Sequence, residues 1–301
     1  VATPRHGKPV EINALWYNAL RIMESLCEKF DEDASAYRTR AEQVKESFNA
    51  KFWDSANQCL FDVVDGDEPD DHIRPNQVYA VSLPFSLLPE EQEKAVVALV
   101  EKELFVGCGL RSLAPDHPDY HGIYCGALAK RDAAYHQGTA WGFLLGGFFS
   151  AYMKVNHHSS SAAANAVRML EPVRKHLTDS GCIGSISEIF DGDAPHNPRG
   201  CYAQAWSVGE VLRCYCEDIL PYLKVEKAEK QIPKKLIWPE TENIKVKNFV
   251  GKKKKDVQQE GVTFTFLGEG DTVLEQMPVD GTTLPAEGGE VWIYLGDDKV
   301  K

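Results

Sequence analysis

The sequence predicts a mainly α-helical protein, a toroid of helical hairpins, followed by a small α+β unit. Three observations carry this. Apolar residues recur at spacings of three and four over seven stretches between residues 10 and 213. The stretches come in sequential pairs with long polar loops at alternate junctions, so that loops at one end build a pocket. The strands that a parallel α/β architecture needs are missing from the first two thirds of the chain.

Val10 to Phe30 forms the first expected helix, with Ile12, Leu15, Trp16, Ala19, Ile22, Met23, Leu26 and Phe30 repeating at three and four. Ser35 to Phe52 forms the second, with Tyr37, Ala41, Val44, Phe48 and Phe52 inward. Gln58 to Val64 alternates, as a short strand or extended loop does. Asp65 to Asp71 is an acidic loop without EF-hand ligand spacing, a solvated surface loop. A third helix is expected over Val78 to Leu87. A fourth follows from Pro89-Glu90-Glu91, where proline and acids suit a helix N-terminus, to about Phe105. Leu110 to Asp132 is a polar, aromatic loop, and a loop of that length is usually functional. Thr139 to Val155 is apolar nearly all round and so predicts a buried helix. Ser160 to Leu177 is the sixth, with serine at its N-cap, and the seventh starts near Tyr202.

The character changes near Cys216 to Leu223. Residues 226–301 hold 12 basic and 14 acidic groups, about −2 of the total of −12. Ile232 to Lys247, with Pro233 and Pro239, reads as a linker. Lys252 to Lys255 falls at an expected helix start, as a solvated face. Val262 to Phe266 and Val291 to Leu295 are strand-prone, with glycine turns between them at Gly268, Gly270, Gly281 and Gly288-Gly289.

A net charge of −12 speaks against nucleic acid as partner. No apolar run has the length of a membrane span. The eight cysteines form no C-x-x-C pair and are expected as free thiols of a reducing compartment. Cys182, Cys201 and His196 match no standard zinc spacing, so neither metal nor cofactor is expected. The chain starts at Val1 and is expected to be a processed or excised piece.

Inverting glycoside hydrolysis needs one carboxyl group to protonate the leaving oxygen and another to activate water, together with aromatic surfaces and hydrogen-bonding groups for the sugar. Such residues gather at helix starts: Arg5, Glu11, Asn13 and Trp16; then Arg74, Asn76 and Gln77; then Arg111; then Tyr135, His136, Gln137, Thr139 and Trp141; then Glu188, Asp191, Gln204 and Trp206. From the residues alone, Glu188 is equally a helix-cap or surface carboxylate.

Thr3-Pro4-Arg5-His6-Gly7-Lys8-Pro9-Val10-Glu11-Ile12-Asn13-Ala14-Leu15-Trp16-Tyr17-Asn18 resembles a motif of glycogen debranching enzymes of the amylo-α-1,6-glucosidase family. So do Ile73-Arg74-Pro75-Asn76-Gln77, Gly109-Leu110-Arg111-Ser112-Leu113, Tyr135-His136-Gln137-Gly138-Thr139-Ala140-Trp141 and the segment ending Ala205-Trp206-Ser207, in the family's order over residues 1–215. The resemblance implies an (α/α)₆ barrel of which about seven of twelve helices are present. It implies inverting hydrolysis of α-1,6-linked glucose in glycogen or related α-glucans, in the cytoplasm, with Glu188 as general base. The family's general acid, an Asp in a Trp-Met-Asp segment, would lie upstream of Val1; Glu11 is the second candidate carboxylate. Gly142 stands where the family commonly has proline.

Lys245-Val246-Lys247-Asn248-Phe249-Val250-Gly251-Lys252, Gly268 to Pro278 and Gly288 to Gly296 resemble a PASTA module of penicillin-binding proteins. That resemblance implies an extracytoplasmic, peptidoglycan-binding role, and with it the alternative of a non-catalytic cell-wall binding protein. No transpeptidase Ser-x-x-Lys accompanies the module. The expected division is 1–217 for the toroid fragment, 218–244 for the linker and 245–301 for the module, with a seam near Arg213–Asp218 from a fusion or a chimeric frame.

Overall fold

In the computed structural model residues 3–65, 68–223, 243–285 and 289–297 are described. They divide into two units, Val1–Lys224 and Val225–Lys301. Gly66 and Asp67 of the acidic loop, Gly288, and 224–242 of the expected linker lie outside the described residues.

The first unit is helical: α1 (Val10–Lys29), α2 (Ser35–Phe52), α3 (Tyr79–Ser82), α4 (Glu90–Glu103), α5 (Leu128–Tyr135), α6 (Leu144–Val155), α7 (Ser160–Met169), α8 (Glu171–Asp179) and α9 (Ala205–Cys214). Helices α1, α3, α6 and α9 follow one another in a row, each packed on the next, while α2, α4 and α7 pair with α1, α3 and α6. The apolar residues between the two rows form one core, with Phe148, Phe149, Leu145 and Met153 of α6 at its centre.

Local chemistry explains where the elements stop. Ahead of α2 the Asp33 carboxylate accepts the Ser35 N–H at 2.9 Å, while the N-cap residue itself, Ala34, makes no side-chain bond. Helix α3 is shorter than the expected Val78–Leu87. Residues Pro75–Val78 form a 3₁₀ turn ahead of it, and Pro84 forces Leu83 into extended backbone behind it. The expected helix over Ser160–Leu177 breaks at Leu170 into α7 and α8, because Pro172 brings no N–H to the ladder. The long loop after Leu110 contains a helix of its own, α5, and the expected helix start at Thr139 is a short strand, Ala140–Trp141, and a turn ahead of α6. Beyond α9 the chain continues through a π turn, Tyr215–Ile219, and a 3₁₀ turn, Leu220–Tyr222, with Ile219 buried.

The largest departure is in α1. Its buried face is Val10, Ala14, Tyr17, Asn18, Leu20 and Glu24. The apolar set that repeats at three and four lies outside: Ile12, Leu15, Trp16, Ile22, Met23, Leu26 and Phe30 are all exposed. From Ile12 to Leu26 no exposed position carries a charge. At the other end of the row, α9 likewise exposes Ala205, Trp206, Gly209 and Leu212.

Short strands tie the helix ends together. In chain order, β1 (Lys8–Pro9), β2 (Trp53–Asp54), β3 (Cys59–Leu60) and β4 (Val63–Val64) make two antiparallel pairs, β1 with β4 and β2 with β3. Next, β5 (Leu110–Arg111), β6 (Ala140–Trp141), β7 (Ile189–Phe190) and β8 (Pro198–Arg199) form one antiparallel sheet in that order. It draws the loops before α5, α6 and α9 to one place.

The second unit has β9 (Asn243–Lys245), β10 (Val262–Leu267), β11 (Thr272–Met277), β12 (Thr283–Pro285) and β13 (Gly289–Gly296). Strand β13 is central, parallel to β10 and antiparallel to β11, and β12 pairs with β9. Val246, Phe249, Val273, Val291 and Ile293 form its core. Among the described residues it holds no α-helix: the expected helix at Lys252–Lys255 is a 3₁₀ turn, Lys254–Asp256. The backbone there is already bonded to the edge of β11, with Val273 N–H donating to Lys252 O at 2.9 Å and Lys254 N–H to Asp271 O at 2.8 Å.

Candidate active site

Four N-terminal helix ends surround one cavity of about 390 Å³ in the first unit. The segment leading into α1 and its first turn contribute Thr3, Arg5 and Glu11; the 3₁₀ turn before α3 contributes Arg74, Pro75 and Asn76; the start of α6 contributes Trp141, Phe143 and Leu144; α9 contributes Trp206. Ser112 and His136 complete the lining. The walls are aromatic. His136 stacks on Trp141 at 5.2 Å and 2° between planes, and Phe143 stacks on Trp206 at 4.0 Å. Trp141 and Trp206 meet edge to face at 6.0 Å.

One rim is ionic. The Arg5 guanidinium donates to both Glu11 oxygens at 2.6 and 2.7 Å and to Asp62 at 2.6 and 3.0 Å. Burial opposes the Arg5 charge, yet Glu11 and Asp62 more than offset it and raise its pKa. Burial pushes the Asp62 carboxyl above the ordinary range, against the pull of Arg5. Glu11, the second candidate carboxylate, is thus held on both oxygens by Arg5. Asp62 was not foreseen. The sequence does carry a signal for it, a charge between inward Leu60 and Val63.

Arg74 is buried and positions loops. It donates to Ser112 O at 3.0 Å, His136 O at 2.7 Å and Gln137 Oε1 at 2.6 Å, so Gln137 serves Arg74. Burial lowers the Arg74 pKa, and it lowers that of His136 too, with Arg74 adding to the effect.

Glu188 lies one ring behind the cavity wall. It precedes β7 and is half-buried. Its Oε1 accepts the Tyr135 hydroxyl, and its Oε2 accepts the Cys201 N–H at 2.9 Å. Burial, then the bond to Glu188, raises the Tyr135 pKa. The Tyr135 ring packs 4.8 Å from both Trp141 and His136, so one aromatic group touches cavity wall and carboxylate alike. Gly200, at φ +66°, leaves the space that the carboxylate fills: a Cβ there would stand 2.5 Å from Oε2. Two groups not foreseen, buried His176 and half-buried Arg199, support this loop. His176 Nε2 accepts the Ser187 N–H at 3.1 Å while its Nδ1 bonds Ser180 Oγ at 2.8 Å, which places the ring proton on Nδ1. Arg199 binds Asp191.

The remaining expected site residues are placed elsewhere. Asp191 is fully buried, and its carboxylate is taken by Arg199 at 2.8 to 3.0 Å and by the Tyr124 N–H at 2.9 Å, so it orders the loop and has no face for a sugar. Arg111 donates to the backbone oxygens of Gly192 and Glu103. Gln77 is buried against Leu60 N–H and Arg74 O, and Thr139 donates to Tyr135 O. The Gln204 N–H bonds Ile186 O ahead of α9. Asn13 donates to Pro9 O and shares a separate groove with Trp16, Arg40 and Phe48, because α1 turns that face away from the cavity. All eight cysteines are free thiols. Among the described residues, Asp70, Asp71 and His72 bring ligand atoms within 4.8 Å of one another, outside this cavity's lining; His72 Nδ1 already pairs with Asp70 at 2.8 Å. Among the described residues no helix is long and apolar enough to cross a membrane.

The family model for amylo-alpha-1,6-glucosidase matches residues 1–213, which contain every residue of the cavity and of the Glu188 loop. The chain belongs to the amylo-α-1,6-glucosidase family. The glycogen debranching enzyme of Saccharomyces cerevisiae is 25% identical over a match covering 70% of this chain, and the match spans 17% of that enzyme's length. Among solved structures, neutral trehalase Nth1 of Saccharomyces cerevisiae aligns with TM-score 0.52 at 14% identity, covering 72% of this chain and 38% of that one. The mannosylglycerate hydrolase of Thermus thermophilus with glucose aligns at 0.50 and 18%, covering 68% and 46%. A sialidase aligns at 0.55 and 14%, covering 71% and 20%. The trehalase and the Thermus hydrolase have the (α/α)₆ toroid fold, and residues 1–223 share that fold in part. Family membership makes the chain glycosidase-like; likeness to the solved structures speaks for the fold alone.

Proposed function

We propose that residues 1–213 carry the base side of an inverting α-1,6-glucosidase site, with Glu188 as general base and branched α-glucan as substrate. The observation that carries it is the Glu188 carboxylate, gripped by the Tyr135 hydroxyl and the Cys201 N–H, one aromatic ring behind a cavity walled by Trp141, His136, Phe143 and Trp206. Flat aromatic walls suit sugar faces, while Asn76 and Ser112 offer polar groups to hydroxyls. A carboxylate has about four lone-pair sites, so two bonds leave room to take a proton from water. Inversion also needs a proton donor across the sugar. Glu11 is chelated by Arg5 and supports the sugar site instead, so the donor is not assigned among the described residues. The test is glucose release from a branched maltooligosaccharide by the full chain, with the anomer followed by NMR. Where glucose is released the anomer is expected to be β, and Glu188→Gln to lower the rate by at least ~10²-fold. A wild-type chain that neither binds nor hydrolyses the substrate sinks the reading.

A further inference from the structure

We propose that Tyr135 is the positioning residue of Glu188, fixing its carboxylate in one orientation; this rests on Glu188 being the general base. Tyr135 is the last residue of α5, a helix set between two loops of the site. Its backbone is pinned from the cavity side: Thr139 Oγ1 donates to Tyr135 O at 2.6 Å and Trp141 Nε1 donates to the same oxygen at 3.1 Å. Its ring is pinned by Tyr124 at 5.7 Å and by Trp141 and His136 at 4.8 Å. The hydroxyl on this ring donates to Glu188 Oε1.

The opposite oxygen is fixed independently. Cys201 N–H donates to Oε2 at 2.9 Å, and the pairing of β7 with β8 brings Cys201 there, its O accepting the Glu188 N–H at 2.8 Å. Each oxygen therefore has one fixed donor and keeps an acceptor site for water. The Cys201 bond comes from the backbone and survives any side-chain change. The Tyr135 bond is the one that a substitution removes. Without the hydroxyl, Oε1 loses its fixed donor and the carboxylate is free to turn. A ring that served only as packing has no such effect.

Tyr135→Phe separates the two, since phenylalanine keeps the ring and the backbone bonds. The Glu188 carboxyl resonance is followed by ¹³C NMR in the full chain, with Glu188→Gln assigning the signal. The resonance is expected to move and broaden in Tyr135→Phe, because Oε1 loses its fixed donor. The neighbouring Tyr124→Phe is expected to leave it in place. An unmoved resonance in Tyr135→Phe, or an equal change in both variants, overturns the proposal. If Tyr135→Phe does not fold, the contact is read from its other end: Glu188→Gln moves the Tyr135 Cζ resonance if the bond exists, and an unmoved resonance overturns it. If Glu188→Gln keeps full hydrolysis while the resonance still responds to Tyr135→Phe, the general-base reading fails and the contact stands.

Discussion

Helices α6 and α1 look alike in sequence, each apolar around much of its circumference, and the structure treats them differently. α6 packs against α3, α4, α7 and α9, and nine of its twelve residues are buried. α1 packs against α2 and α3 along one side and shows Ile12, Trp16 and Phe30 outward, at 55, 52 and 68% exposure. Periodicity shows how much of a helix is apolar; only the neighbours decide how much of that is core. The energetic consequence is measurable. Phe148 of α6 has no exposed surface and lies against Phe105, Phe149 and Tyr152. Phe148→Ala is expected to cost about 3–5 kcal/mol in urea unfolding, from lost burial plus the cavity left behind. A loss under 1 kcal/mol would mean that α6 is no better covered than α1.

A second contrast sharpens the first. The loop around Glu188 is held by buried polar groups, whereas the outer face of α1 has none to lose. His176 is the titratable member of that loop's support. Burial holds its pKa below the ordinary 6.5. Between the lowered folded value and 6.5 the unfolded chain binds more protons, so stability rises with pH there. The His176 contribution is fully present above 6.5 and is lost as pH falls through the folded value. Protonation also removes the Nε2 lone pair that accepts the Ser187 N–H, next to Glu188. His176→Gln, which keeps an acceptor and does not titrate, is expected to flatten part of the acid-side slope of Tm between pH 5.5 and 7.5. His117 and His136, also lowered mainly by burial, keep the remainder. An unchanged slope would place the Glu188 loop outside the cooperative core.

The helical character, the row of helix starts around one cavity, and Arg5, Arg74, Asn76, His136, Trp141 and Trp206 in its lining were legible in the sequence, since periodicity and motif order are local properties. Pro84 and Pro172 were legible too, yet their consequences, a shortened α3 and the break between α7 and α8, depend on which residues fall in the first turn. What stayed hidden is pairing across the chain. Asp62 meets Arg5 over 57 positions, and Tyr135 meets Glu188 over 53. No spacing rule links such residues, so Asp62, His176 and the tie of Tyr135 to Glu188 emerge only once the short strands bring their loops together. Asp191 shows the converse: an acid in a motif-rich loop that looks reactive in sequence and proves to be the buried anchor of Arg199.

The smallest expected effect tests the exposed face of α1 itself. Ile22 lies in its second half and is 46% exposed, with Leu26 and Leu15 exposed one and two turns away. If that face stays in water, Ile22→Ser loses little burial, and the change belongs with ordinary surface substitutions, within about 0.5 kcal/mol. Contiguous apolar surface on a helix flank is also a site of self-association. The same substitution should therefore lower any concentration-dependent mass seen by analytical ultracentrifugation while leaving unfolding nearly unchanged. A loss above 1.5 kcal/mol that grows with protein concentration would break the contrast with α6: it would mean that α1 in solution is covered, and by a second copy of this chain, since linkage to association makes stability depend on concentration.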